Sequence, residues 1–183
     1  MRGDVQGQTL WGGQDAFLRK YDGNGAELWN RLFGSTLADV ARSVAVDGAG
    51  NVYVAGYAFD PNPPSGSAGT TDAFLSKYVN GTEKWALGSG SIGSELSQGV
   101  AATAGGSIYV AGYSPTDALL KKYDASGTSV WTRSIKPLSG TAVGLAVAVS
   151  ASGTVCIAGS TPSAFPGLVS AGRKDAFVQV LPQ

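Results

Sequence analysis

Histidine is absent from this chain, and cysteine occurs once, at Cys156. Without histidine there is no imidazole to act as a triad base, a proton shuttle or a ligand of most zinc sites. A lone cysteine excludes an internal disulfide, so the fold rests on packing alone. Charge is scarce as well: 14% of the residues are charged, with 13 basic and 13 acidic side chains. That balance offers no electrostatic footprint for nucleic acid or an anionic membrane surface. No apolar run approaches the roughly 20 residues of a membrane-spanning helix. The opening Met1-Arg-Gly-Asp4 carries no apolar stretch of the kind a secretory signal needs. Neither a cofactor nor a metal is expected.

What the chain has in quantity is glycine, 27 of 183 residues, and a repeated phrase. Asp15-Ala-Phe-Leu-Arg-Lys-Tyr21, Asp72-Ala-Phe-Leu-Ser-Lys-Tyr78 and Asp117-Ala-Leu-Leu-Lys-Lys-Tyr123 are followed by a clipped copy, Asp175-Ala-Phe-Val-Gln-Val180. Recurrence at tens of residues marks an array of supersecondary units. Each phrase alternates apolar and polar residues, as a half-buried strand does. A turn follows (Asp22-Gly-Asn-Gly25, Asn80-Gly81, Asp124-Ala-Ser-Gly127), then a strand with one tryptophan, Trp29, Trp85 or Trp131. Asn-Gly and Asp/Gly clusters supply the positive φ of hairpin turns. A small-residue strand comes next: Ser43-Val-Ala-Val-Asp47, Gly99-Val-Ala-Ala-Thr103 and Leu145-Ala-Val-Ala-Val149. The unit ends on an apolar strand closing in Ala-Gly: Asn51–Gly56, Ser107–Gly112 and Thr154–Gly159. No segment sustains a 3.6-residue period. Four short antiparallel strands per unit of roughly 45 residues read as an all-β fold, a β-propeller of four-stranded blades.

The order Asp-Ala-Phe-Leu-x-Lys-Tyr-Asp-x-x-Gly, then Trp-x-Arg, then Val-Ala-Val-Asp-x-x-Gly-Asn-Val-Tyr-Val-Ala-Gly resembles the bacterial β-propeller repeat family SBBP. Ser163-Ala-Phe-Pro166 is similar to that family's Phe-Pro element. The resemblance implies a propeller, often part of a larger extracellular or cell-surface bacterial protein, and brings no catalytic set to transfer. Later copies depart from the pattern: Asp47 gives way to Thr103 and Ser150, and Tyr53 to Cys156.

In related propellers the Val-Ala-Val strand lies nearest the axis. On that phase the chain opens at a second strand, Asp4-Val-Gln-Gly7, supplies two full blades and stops at the third strand of another. Residues 1–183 are accordingly read as one propeller domain or a fragment of one, with repeats beginning near 15, 72 and 117 and a partial one at 175. Four blades, or a partial ring with incomplete terminal blades, are expected, and self-association through those blades with them. The proline-bearing connections between Gly56 and Asp72 and between Gly159 and Asp175 are read as the variable loops.

Tyr57 and Tyr113, just after the Ala-Gly strands, are the candidate ligand-binding residues. The strand-start aspartates are read as turn anchors, and the tryptophans as packing between blades. The function expected is a non-catalytic module that binds or scaffolds a protein or glycan. The alternative is a propeller enzyme, glycosidase-like or lyase-like, using channel carboxylates; Asp39, Asp47 and Glu95 are the acids near the small-residue strands.

Overall fold

The computed structural model describes residues 13–60, 70–89 and 95–181. Among them are thirteen strands in four antiparallel sheets and no helix. The first sheet pairs β1 (Ala16–Tyr21) with β2 (Glu27–Phe33). The second runs in chain order through β3 (Asp39–Val46), β4 (Val52–Asp60), β5 (Thr70–Val79) and β6 (Thr82–Ser89). The third repeats that order with β7 (Leu96–Ala102), β8 (Ile108–Tyr113), β9 (Ala118–Tyr123) and β10 (Ser129–Ile135). The fourth holds β11 (Val143–Val149), β12 (Val155–Thr161) and β13 (Asp175–Leu181). The sheets therefore divide the chain at its small-residue strands, β3, β7 and β11. The Asp4–Gly7 strand expected from the repeat lies outside the described residues.

One hairpin design recurs at five turns. At Asp22, Asp47, Thr103, Asp124 and Ser150 the backbone carbonyl accepts from the amide of a glycine three residues on, at 2.9–3.1 Å. Those glycines, Gly25, Gly50, Gly106, Gly127 and Gly153, sit at φ between 79° and 89°, where a side chain is strained. A side-chain oxygen then accepts from the amide four residues on: Asp22 from Ala26 at 2.9 Å, Thr103 from Ser107 at 3.0 Å, Ser150 from Thr154 at 3.0 Å. The turn needs an oxygen there and not a charge, which is why Thr103 and Ser150 can stand where Asp47 stands. Thr103→Val removes that acceptor and is expected to cost about 1 kcal/mol in urea unfolding, whereas Thr103→Asp keeps the stability within about 0.5 kcal/mol.

The connection expected as a loop between Gly56 and Asp72 is partly strand. β4 continues to Asp60 and β5 begins at Thr70, with Phe59 opposite Thr71. Aromatic and β-branched residues on either side prolong the ladder there. The connection from Pro162 to Lys174 does run as turns and bends, with Phe165 edge-on to Phe177 at 5.1 Å.

The sheets stack face to face along the chain. Leu18 and Trp29 of the first sheet cover Val52, Val54 and Tyr78 of the second. Tyr53, Ala55 and Leu75 meet Val100, Ile108 and Val110 of the third. Tyr109, Ala111 and Leu120 meet Val155, Ile157 and Leu181 of the fourth. The small-residue strands come closest: a Cβ on Gly99 would stand 3.0 Å from the Ala146 Cα, and Val100 donates its amide to Ser43 Oγ at 3.0 Å. Two tryptophans seat against the next sheet's hairpin turn, and Trp131 packs against the core between the third and fourth sheets. Trp29 lies against Gly81 and Trp85 against Gly127, at 3.0 and 3.2 Å from where a Cβ would be. The tryptophans thus pack between sheets, as their periodic placement suggests.

Candidate functional site

A cleft of ≈ 240 Å³ opens between the second and third sheets. Its walls carry Phe74 and Leu87 from one side and Leu96, Tyr113, Leu119 and Tyr123 from the other. Glu95 and Lys121 line it too, ion-paired at 2.9 Å. Alternation along β9 explains the lining, because Leu119, Lys121 and Tyr123 share the face turned back toward the second sheet. Burial pushes the Tyr123 phenol above its ordinary range, with Lys121 acting in the opposite sense. The cleft is largely apolar, with a half-buried phenol and one neutralised charge pair.

Tyr113 is at the end of β8 and enters this cleft. Tyr57 is in the body of β4, where its hydroxyl accepts from an Arg42 Nη at 3.1 Å and its ring lies 5.2 Å from the guanidinium. Among the described residues the two tyrosines make no ring contact with each other, and Tyr57 does not line the cleft. Sequence reasoning missed Leu96, Tyr123 and the Glu95–Lys121 pair. Lys121 and Tyr123 are both in the repeated phrase, so the phrase contained the signal once its inward face was known.

Of the acids weighed as a channel pair, Glu95 is ion-paired with Lys121 in the cleft, and Asp39 and Asp47 are engaged along β3. Asp39 and Asp47 flank the same strand at opposite ends, roughly 26 Å apart at strand rise. Asp39 Oδ2 accepts from the Ser35 hydroxyl at 2.9 Å. Asp47 accepts from the amides of Ala49 and Asn51, the Asn51 side chain and the Tyr53 hydroxyl, at 2.8–3.0 Å. Desolvation works against its charge, but the Asn51 and Tyr53 side chains and the two amides outweigh it and hold Asp47 below the ordinary carboxylate range. Asp117 immediately precedes β9 and Asp175 begins β13, the strands two places out from the small-residue strands. Asp117 lies 3.4 Å from the Lys136 ammonium, and Asp175 accepts from Ser170 Oγ at 2.6 Å and the Ala171 amide at 3.1 Å. The Asp175 contacts tie down the turn before β13, as the anchoring role expects, whereas Asp117 pairs with the lysine that follows β10.

A larger hollow of ≈ 780 Å³ runs along the outer edge of β13. It is walled by Ile135, Phe165, Leu168, Val169, Phe177 and Val178. In the second and third sheets this is the place of the outermost strand, β6 or β10. Among the described residues no group of three or more acidic or cysteine side chains is placed to hold a metal ion.

Residues 28–58, from β2 through β4, match the family model described as SBBP, a beta-propeller repeat. The regulatory protein FlaEY of Caulobacter vibrioides is 33% identical over 123 residues, covering 62% of this chain and 13% of that protein. The chain thus spans a small fraction of the length of this curated relative. A protein of unknown function from Bacteroides caccae, known from its crystal structure, matches over 79% of this chain and 50% of its own. Its TM-score is 0.52 at 11% identity, a likeness of fold alone.

Proposed function

We propose that the chain is a run of β-propeller blades serving as a non-catalytic binding module for a protein or glycan, part of a larger cell-surface or secreted bacterial protein. Four-stranded meanders stacked through their small-residue strands support the propeller reading. The SBBP match across β2 to β4 supports it further, and with it the extracellular setting. The 13% share of the Caulobacter relative favours a module within a longer chain.

The observation that carries the binding reading is the Tyr113 cleft. Its ≈ 240 Å³ suits one sugar ring or two side chains of an extended peptide, with apolar walls for a ring face and a tyrosine edge for hydrogen bonding. The carboxylate that lines it, Glu95, is neutralised by Lys121 at 2.9 Å, which suits recognition better than proton transfer.

The test is a glycan array and a displayed-peptide library probed with the 183-residue chain. Binding to one class is expected, weakened about tenfold or more by Tyr113→Ala and less by Tyr57→Ala. Binding that Tyr113→Ala leaves unchanged would remove the cleft from consideration.

A further inference from the structure

Among the described residues the three interfaces between sheets share one plan, and ladder register picks out their matching positions. Ala16, Ala73 and Ala118 hold one such position, and the strands outside them set Phe33, Ser89 and Ile135 opposite. In the first interface Phe33 reaches across to the second sheet. Its ring centroid lies 5.9 Å from those of both Phe74 and Tyr78. In the last interface Ile135 is 8% exposed and belongs to the core against which Phe177 packs. An apolar side chain from within the chain thus fills the place twice. In the interface between them the matching residue is a serine, Ser89, and there the Tyr113 cleft lies.

The third-sheet wall of the cleft keeps the receiving half of the arrangement. Leu119 and Tyr123 stand opposite Gly112 and Ile108, as Phe74 and Tyr78 stand opposite Gly56 and Val52. Leu119 and Tyr123 both line the cleft. Between them is Lys121, where the second sheet has Ser76 and the fourth has Gln179. Its pairing with Glu95 puts charge at a position that is neutral in both filled interfaces.

We propose that the partner bound in the cleft is a protein that inserts one aromatic side chain, its ring standing against Tyr123 as Phe33 stands against Tyr78. This rests on the reading of the cleft as a binding site and names the ligand class. The chain itself shows what suits the place, an apolar side chain, and beside a tyrosine that side chain is an aromatic ring. A sugar ring suits it less, because hydroxyls turned toward Leu87 and Leu119 would lose water without gaining partners. The Glu95–Lys121 pair serves the peptide groups flanking the inserted ring, a carboxylate for amides and an ammonium for carbonyls.

A displayed-peptide library selected on the 183-residue chain tests this, together with three probes followed by NMR: N-acetyl-phenylalanine amide, N-acetyl-alanine amide and methyl glucoside. Selected peptides are expected to share one aromatic residue, whose replacement by alanine weakens binding about 100-fold. The phenylalanine amide is expected to shift the Leu119 and Tyr123 amide signals, and the other two probes to leave them in place. Ser89→Phe, which installs the residue of the first interface, is expected to weaken peptide binding about tenfold or more while unfolding at or above the wild-type temperature. Should that variant fail to fold, the titrations of the wild type decide alone. Peptides with no common aromatic residue, a folded Ser89→Phe chain that binds as the wild type does, or a phenylalanine amide that leaves both signals unmoved would each overturn the proposal. If the glucoside moves those signals instead, the cleft stands as a binding site and the aromatic ligand does not. Peptide binding that Tyr113→Ala leaves unchanged would remove the cleft itself.

Discussion

Gly112→Ala is expected to destabilise the chain by about 3 kcal/mol or more, lowering the thermal midpoint by about 6–12 °C. The reason is close approach. A bulge between Ser97 and Gly99 turns the carbonyl of Leu96 onto Gly112, and a Cβ there would overlap that oxygen, with Ser97 Cα 3.2 Å away. Backbone cannot swing aside as a side chain can. Nor can β8 retreat, because the Gly112 carbonyl oxygen lies 2.8 Å from where a Cβ of Gly144 in the next sheet would stand. Gly56 and Gly159 meet the carbonyls of Val40 and Val143 in the same manner. Gly88→Ala is the control: nothing lies within 4 Å of its would-be Cβ, and a change within about 0.5 kcal/mol is expected. A Gly112→Ala chain with wild-type unfolding would mean that the bulges in the small-residue strands are not fixed features.

Asp47→Ala is expected to cost about 2–4 kcal/mol, measured by denaturant unfolding. Four donors lose their acceptor, and one is the hydroxyl of Tyr53, a side chain with no exposure at all. Burial, together with the Asp47 charge, holds that phenol well above the ordinary tyrosine range, so it remains a donor throughout the accessible pH range. Asp124→Ala removes the same turn bonds at an exposed site without a buried tyrosine, and a much smaller loss is expected. The effect also carries a pH signature. Asp47 titrates below its unfolded value, so its stabilisation is complete above about pH 4 and is lost as pH falls through the lower folded value. The gap in midpoint between wild type and Asp47→Asn should therefore be flat from neutral pH down to about 5 and shrink below about 4. A gap that widens on acidification would contradict the network.

Much of the fold is legible in residues because its determinants are local. Gly25, Gly50 and Gly127 announce turns through a backbone angle, and Asp22 or Asp47 through an oxygen one turn-length from its amide partner. The tryptophans announce themselves by period. What stays hidden depends on two segments meeting. Gly56, Gly112 and Gly159 read as the close of an apolar strand, yet their necessity comes from a bulge in the partner strand. The extension of β4 to Asp60 depends on Thr70 and Thr71 arriving opposite it. The cleft is hidden for the same reason, since Leu87 and Tyr123 become neighbours only when two sheets stack. Tyr57 shows the converse, a tyrosine beside Ala-Gly like Tyr113, but engaged by Arg42 from an adjacent strand.

The meander order of the sheets has a kinetic consequence. In each four-stranded sheet every strand pairs with its neighbour in sequence, so a ladder can close without waiting for distant chain. The entropy of loop closure is then met in small instalments, which favours rapid formation of the individual sheets. Contacts between sheets span more chain: the Lys77–Ala125 bond bridges 48 residues. The slower event is therefore the seating of one finished sheet upon the next, and the second and third sheets, flanked on both sides, are the natural place for that assembly to begin.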